Sequence, residues 1–345
     1  MLNECKNIIK EQEEEGIIEK APEEALGKEF YLPFKPVVRK SAESTKTRLV
    51  YDGSAKAIST SQSLNECLET GPPLQKLIFD ITARNRFYPV TLTGDIKKAF
   101  LSIQIREEDR DALRFHFIEP NDPNNTIVHR FTRALFGLNQ SPFLLGGTLE
   151  HHLSSYESQY PTEIDEIKRS LYVDDIILGG TSLEEVENLK KTAVKIFESG
   201  DFHLHKWHSN DPSLELSKPT DLTQEISFAK QQLEVEWGET KLLGIPWNTV
   251  TDKLGVTFPP KLEVFTKRKV LSTLDAVYDS LGMALPITVQ GKMIYRDACD
   301  NGTKWDEEFP DCLARRWNAW SERLPGTIEV PRSITQHRES IQAID

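Results

Sequence analysis

The sequence predicts an α+β fold, and three features point to it. Short apolar and β-branched runs bounded by Gly, Pro, Asn and Asp recur at 31–34, 48–51, 90–92, 101–105 and 113–118, the texture of strands. Segments with helical spacing interrupt them at 74–85, 141–155 and 183–199. The two kinds do not alternate as regular βαβ units, which argues against a doubly wound sheet.

In chain order, residues 1–25 read as an acidic surface helix anchored by Ile8, Ile9, Ile17 and Ile18. Residues 26–250 hold the strand-rich body. Its clearest helix spans 183–199: Thr181 and Ser182 offer N-cap hydroxyls, and Glu184 and Glu185 stand where a capping box needs them. Leu183, Val186, Leu189, Ala193, Ile196 and Phe197 form its apolar stripe, and Gly200 stops it. After Trp247 the texture shifts. A Pro259-Pro260 break precedes a helix predicted over 262–281, which carries Lys267, Arg268 and Lys269. Residues 251–345 read as a second, mostly helical unit with Trp305, Trp317 and Trp320 as core or interface anchors.

The 345 residues, 38% apolar and 28% charged, have the composition of a soluble globular chain of two or three units. No apolar run approaches the roughly 18 residues of a membrane span. The N-terminal stretch has neither a basic n-region nor an apolar h-region, so an intracellular, cytoplasmic location is expected. Cys5, Cys67, Cys299 and Cys312 form no CxxC pair, which argues against a zinc knuckle, a redox motif or a disulfide framework; they read as reduced, mostly packed thiols. The net charge of -12, from 42 basic and 54 acidic residues, taken alone disfavours nucleic acid as a partner. The average hides a basic stretch. Lys35, Arg39, Lys40, Lys46, Arg48 and Lys56 face only Glu43 and Asp52 between residues 35 and 56, so a polyanion can be held locally.

The sharpest motif is Leu171-Tyr172-Val173-Asp174-Asp175-Ile176-Ile177-Leu178. Its flanking runs want burial on both sides, and two like charges brought into a buried turn need a cation to compensate them. A hairpin turn and a divalent-metal site both fit this pattern. Asp95 ends an apolar run after Gly94, which is expected to relieve the backbone there; it is either an N-cap for the turn that follows or a third carboxylate for the same site. Three such carboxylates suit two Mg²⁺ ions about 3.5–4 Å apart, the arrangement of in-line nucleotidyl transfer. Leu135-Phe136-Gly137-Leu138-Asn139-Gln140-Ser141-Pro142 reads as a loop entering a helix, with Pro142 at its first helical position; it is either a plain helix start or a backbone that approaches a base pair or sugar.

In this order the segments resemble the reverse transcriptase of the BEL/Pao class of long-terminal-repeat retrotransposons, over about residues 17–324. The resemblance implies a right-hand polymerase with fingers and a ferredoxin-like palm over 26–250, and a helical thumb with the start of a connection over 251–345. It implies RNA-directed DNA polymerase activity with two Mg²⁺ ions, Mn²⁺ being a substitute, on a primed RNA or DNA template with deoxynucleoside triphosphates. By that resemblance Asp95 and Asp174 correspond to the principal metal ligands with Asp175 supporting, Tyr172 to the tyrosine of the Tyr-x-Asp-Asp box, and Phe100 to the steric gate against a 2′-OH. Arg48 matches the arginine that contacts the incoming triphosphate. Lys40 approximates its companion lysine, displaced by one position, and Lys46 competes for that role. Gly137, Ser141 and Pro142 match the loop-helix that cradles the templating pair. Phe136 stands where retroviral enzymes carry Gln and BEL/Pao members an apolar residue.

Lys206, within Phe202-His-Leu-His-Lys-Trp-His-Ser-Asn210, matches the lysine that protonates the leaving pyrophosphate. His203, His205 and His208 offer a rival metal-ligand reading, since alternate strand residues share a face. Leu243 and Gly244, within 242–247, match the primer grip, and Thr266-Lys-Arg-Lys269 the base of a thumb helix. An aspartic peptidase needs an Asp-Thr/Ser-Gly turn, which Asp52-Gly-Ser and Asp279-Ser-Leu-Gly do not supply. A ribonuclease H or integrase type spreads its carboxylates rather than pairing two on a hairpin. A decayed or domesticated copy would bind nucleic acid without catalysis. With peptidase, ribonuclease H and integrase signals missing, the chain is expected to be part of a larger polyprotein.

Overall fold

Gly16, at φ +66°, ends helix α1 (Leu2–Glu14) and turns the chain into strand β1 (Ile18–Lys20). Ile17 and Ile18, expected on the helix, are therefore buried in a turn and a strand. The structure, a computed structural model, describes residues 2–25, 27–40, 45–118, 126–215 and 239–335. The strands that follow are β2 (Phe34–Lys40), β3 (Thr45–Tyr51), β4 (Val90–Ile96), β5 (Arg114–Ile118), β6 (Thr126–Phe131), β7 (Leu171–Tyr172), β8 (Asp175–Gly180) and β9 (Leu204–Ser209). A last group comprises β10 (Glu239–Leu242), β11 (Ile245–Asn248), β12 (Lys253–Thr257) and β13 (Thr327–Pro331). Between them lie α2 (Leu64–Cys67), α3 (Ile78–Asn85), α4 (Ser141–Ser154), α5 (Pro161–Ser170), α6 (Leu183–Ser199), α7 (Lys267–Asp275), α8 (Leu285–Asp300) and α9 (Asp311–Ser321).

Helix and sheet are mixed without βαβ repetition, and the described strands form four sheets: β1-β6-β5, the hairpin β2-β3, a central β7-β8-β4-β9, and β10-β11-β12-β13. The central sheet is buried on both faces, which explains the unbroken apolar run after Asp175. Ile176 and Leu178 pack with Leu92, Leu145, Leu149 and Phe197 on the helix-covered face. Ile177 points the other way, into a cluster with Ile81, Leu242, Ile245 and Trp247.

Helix α6 has the expected bounds. Ser182 accepts from the Glu185 amide at 3.2 Å, while the Glu185 carboxylate takes the Thr181 amide and hydroxyl rather than closing the box on its own cap. Other expectations change. The stretch 101–105 gives a 3-10 turn (Ala99–Ser102) and an isolated bridge instead of a strand, because Lys98 at φ 51° breaks the extended backbone. The helix expected over 262–281 is the shorter α7, started by the Thr266 hydroxyl, which accepts from the Lys269 amide. Among the described residues the C-terminal region is mostly helical in its regular elements, but β13 also returns to pair with β12 over five residues, a contact too distant in sequence to leave a hairpin signal. Trp317 and Trp320 are core, whereas Trp305 is 40% exposed with Arg268 over its ring. Only Cys5 of the four thiols is buried. Among the described residues no helix is long and apolar enough to cross a membrane.

Candidate active site

Strand pairing sets two of the separated carboxylates opposite each other. Asp95 lies directly opposite Asp175 on the antiparallel β4-β8 ladder, so the two share a face, and the Ile96 amide donates to the Asp174 carbonyl at 2.8 Å. Tyr172 pairs with Asp175, leaving Val173 and Asp174 as a two-residue hairpin turn. Val173 takes φ 55°, a conformation that a β-branched residue rarely adopts, so the turn concentrates strain beside the carboxylates. Burial pushes the Asp174 carboxyl up, and the Asp95 charge adds to that effect. Asp175 is pushed up to about 6 by burial, then by Asp174 and Asp95.

A bulge in β9 aims two consecutive side chains at Asp95. Thr93 pairs with His208 and Asp95 with His205, so β9 carries one extra residue there, and Lys206 takes φ 51°. His205 Nε2 and Lys206 Nζ then both reach Asp95 Oδ2, at 2.7 and 3.0 Å. Strict alternation would have sent one of them to the opposite face. Asp95 is thus not an N-cap; Lys98 holds the N-cap position of the turn that follows, without a side-chain cap bond. Gly94 matters for a reason other than backbone relief: a Cβ there would stand 2.7 Å from the Trp207 ring on the neighbouring strand.

The carboxylate face opens into a cavity of about 450 Å³, lined by Asp95, Asp175 and Lys206 on one side and by Thr240, Leu243 and Gly244 on the other. Leu243 (φ 46°) and Gly244 (φ 86°) form the left-handed two-residue turn between β10 and β11, the conformation of a type I′ hairpin. Leu243 and Tyr172 pack on one apolar cluster, which joins this hairpin to the one carrying Asp174. The Tyr278 hydroxyl donates to the Leu243 carbonyl at 2.8 Å.

Phe100 and the loop of residues 136–142 form a second group. Phe100 is 6% exposed and stands edge-on to Phe136, itself 57% exposed, with ring centres 4.6 Å apart. Gly137, at φ +88°, turns the loop after Phe136. Its carbonyl accepts from Asn65 Nδ2 at 3.0 Å, and Asn65 Oδ1 accepts from the Asn139 amide at 3.0 Å. Ser141 opens α4 and is buried, its hydroxyl without a partner among the described residues; Pro142 follows it as the second helical residue rather than the first. Arg48 is exposed on β3 opposite Val37 and does not line the cavity. Lys40 ends β2 and Lys46 lies in β3, but their side chains fall outside the described part of the structure.

The three histidines do not converge. His205 is on Asp95, whereas His208 Nδ1 is 3.9 Å from Glu215. Among the described residues no group of three or more His, Cys, Asp or Glu side chains is drawn together tightly enough to hold an ion. Asn65, Tyr278 and the partnership of His205 with Asp95 escaped the sequence reading. Asn65 lies inside the capping box Ser63–Glu66, a local signal that says nothing of a loop 72 residues away.

The family model for Reverse transcriptase (RNA-dependent DNA polymerase) matches residues 38–207, a span that holds Asp95, Asp174, Asp175 and Lys206. A second model, the Pao retrotransposon-like RNaseH-like domain, matches residues 266–344. The second match corrects the expectation that ribonuclease H signals are missing: the likeness extends over a whole segment and not over a short acidic motif that could be read by eye. Comparison with curated proteins gives no match.

Proposed function

From the premise that this chain is a Pao-type retrotransposon reverse transcriptase, a nucleotidyltransferase fold with nucleic acid as its partner and a polyprotein as its context, we propose that it adds deoxynucleotides to a primer. The observation that carries the reading is Asp95 facing Asp175 across β4-β8, with Asp174 in the adjoining turn. In this reading the central sheet is the palm, the β2-β3 hairpin belongs to the fingers, and α7 to α9 form the thumb.

The donor set fits Mg²⁺. All three side chains offer hard carboxylate oxygens, and burial together with mutual repulsion makes the ionised forms of Asp174 and Asp175 costly without a cation. Asp95, Asp174 and Asp175 would hold the ions, and His205 and Lys206 occupy Asp95 Oδ2 meanwhile. When bound, Mg²⁺ supplies Lewis-acid stabilisation at the reacting phosphate and lowers the pKa of the attacking hydroxyl.

The chain's own groups do the rest. The Lys206 ammonium, mostly exposed, swings from Asp95 to give a proton to the departing pyrophosphate oxygen. Arg48 binds the triphosphate from the hairpin, with Lys40 as its companion. Phe100, held edge-on by Phe136, blocks a 2′-OH, and Gly137 and Tyr172 border the nucleotide. Leu243 and Gly244 hold the primer end across the cavity, while Ser141 and Pro142 set the helix start beneath the template. The setting of this chemistry is inside the cell.

Primer extension on poly(rA)/oligo(dT) with Mg²⁺ tests the reading. Asp174→Asn should abolish incorporation, and Phe100→Ala should admit ribonucleotides. Equal incorporation by wild type and Asp174→Asn defeats it. A second reading, nucleic-acid binding without catalysis, draws on His205 and Lys206 both holding Asp95 Oδ2. It predicts primer–template binding with no extension by the wild type.

A further inference from the structure

We propose that Arg332 and Tyr278, both outside the reverse transcriptase match, are positioning residues that brace the β10-β11 hairpin and so place the primer end over Asp95. The proposal rests on the polymerase reading above. Arg332 is fully buried. Its Nε and Nη2 each donate to one oxygen of Asp252 at 2.7 Å. Nη1 donates to the carbonyls of Asn85 and Tyr88 at 2.8 and 2.9 Å, and Nη2 to that of Pro89 at 3.1 Å. Only a planar guanidinium fork can serve a carboxylate and three carbonyls together.

These contacts join segments far apart in sequence. Residues 85–89 lead directly into β4, the strand that carries Asp95. Asp252 lies in the turn between β11 and β12, where its Oδ1 accepts from Trp247 Nε1 at 3.0 Å and its Oδ2 from Asn210 Nδ2 at 3.2 Å. The backbone repeats the tie: the Arg332 amide donates to the Asp252 carbonyl and the Ile334 amide to the Arg86 carbonyl, at 2.8 and 2.9 Å. The root of the hairpin sheet is therefore clamped to the start of β4.

The tip is held separately. Besides the Tyr278 hydroxyl on the Leu243 carbonyl, the Tyr278 ring lies where a Cβ on Gly244 would stand 3.0 Å from it. Root and tip braces both come from residues 266–344, the segment matched by the RNaseH-like model. That segment thus contributes to the geometry of the polymerase site. Reacting groups displaced by about 1 Å can lose on the order of a hundredfold in rate.

The test uses the full chain with Tyr278→Phe, Arg332→Met and Arg332→Lys, measuring Kd for a labelled primer–template duplex, KM for dTTP, kcat and Tm. Tyr278→Phe removes one hydrogen bond at a half-exposed ring. It should raise the primer–template Kd about three- to tenfold and lower kcat, with dTTP KM and Tm unchanged. Arg332→Met should raise Kd on the order of tenfold or more, and Arg332→Lys, which keeps the charge but not the fork, should fall between. Wild-type Kd and kcat in Tyr278→Phe overturn the proposal, as does a loss confined to dTTP KM. Should Arg332→Met fail to fold, Tyr278→Phe decides alone. If the wild type binds the duplex without extending it, the polymerase reading falls while Kd still tests the brace. A wild type that does neither overturns both.

Discussion

Two acidic centres in this molecule are built on opposite principles. Around Asp252 the protein supplies everything a buried carboxylate needs: the Arg332 fork, the Trp247 indole and the Asn210 amide. Around Asp174 and Asp175 it supplies too little. Burial and the neighbouring carboxylates push both upward, and the cation opposing this effect is Lys206, whose side chain is 64% exposed. A buried polar group answered in full serves the fold; one left with unspent capacity is available to a ligand. The same residue type therefore carries opposite meanings 77 residues apart, between Asp175 and Asp252.

Replacing each carboxylate by its amide is the sharpest way to break this contrast. Asp174→Asn should cost on the order of a thousandfold or more in primer extension, the scale of losing several kcal/mol of transition-state stabilisation, with Tm unchanged or slightly raised. Asp252→Asn should do the reverse, leaving Arg332 buried without its counter-charge at a cost of about 3–5 kcal/mol in stability. Thermal melts and single-turnover extension on both variants decide it. If the Asp174 variant melts lower and the Asp252 variant does not, the two centres have been assigned the wrong way round.

A smaller effect sharpens the same point. If Asp252 and Arg332 are there as a matched pair, removing both should be milder than removing either. Arg332→Met with Asp252→Leu should recover about 2 kcal/mol relative to the sum of the single changes, measured as a coupling energy in urea melts. Simple additivity would show that Arg332 acts mainly through the carbonyls of residues 85–89, and the pairing would lose its significance.

The contrast also shows what could be read from sequence. The Tyr172–Asp175 box was legible because apolar runs on both sides of two acids make an unusual local pattern, and α6 because cap, stripe and stop all lie within one window. Asp95 was legible as the end of a buried strand. The Asp252–Arg332 clamp left no trace, since its partners lie 80 residues apart and neither sits in a patterned run. The bulge at Lys206 escaped for another reason: a left-handed residue there reverses the alternation on which the strand reading relies. Asn65 and Tyr278 act on backbone carbonyls of distant loops, and a carbonyl acceptor carries no residue signature. Local chemistry survives in the sequence; positioning by remote contacts does not.

The smallest predicted effect tests the unspent capacity itself. In chelator, without metal, Asp175 holds its proton up to about pH 6 in the folded chain but releases it near the ordinary carboxylate value of about 4 when unfolded. Between those limits the unfolded state binds fewer protons, so stability falls as pH rises, and the loss is complete above the folded value. Asp174, shifted the same way, adds to the slope. Asp175→Asn removes the Asp175 share, so its Tm should match the wild type near pH 4 and exceed it by about 2 °C above pH 6.5, a figure discounted for partial solvent screening. Mg²⁺ should then reverse the order, raising the wild type more than the variant because only the wild type keeps all three carboxylates. A wild type more stable than Asp175→Asn across the whole metal-free range would mean that this carboxylate is answered within the protein after all, and that the two acidic centres do not differ in kind.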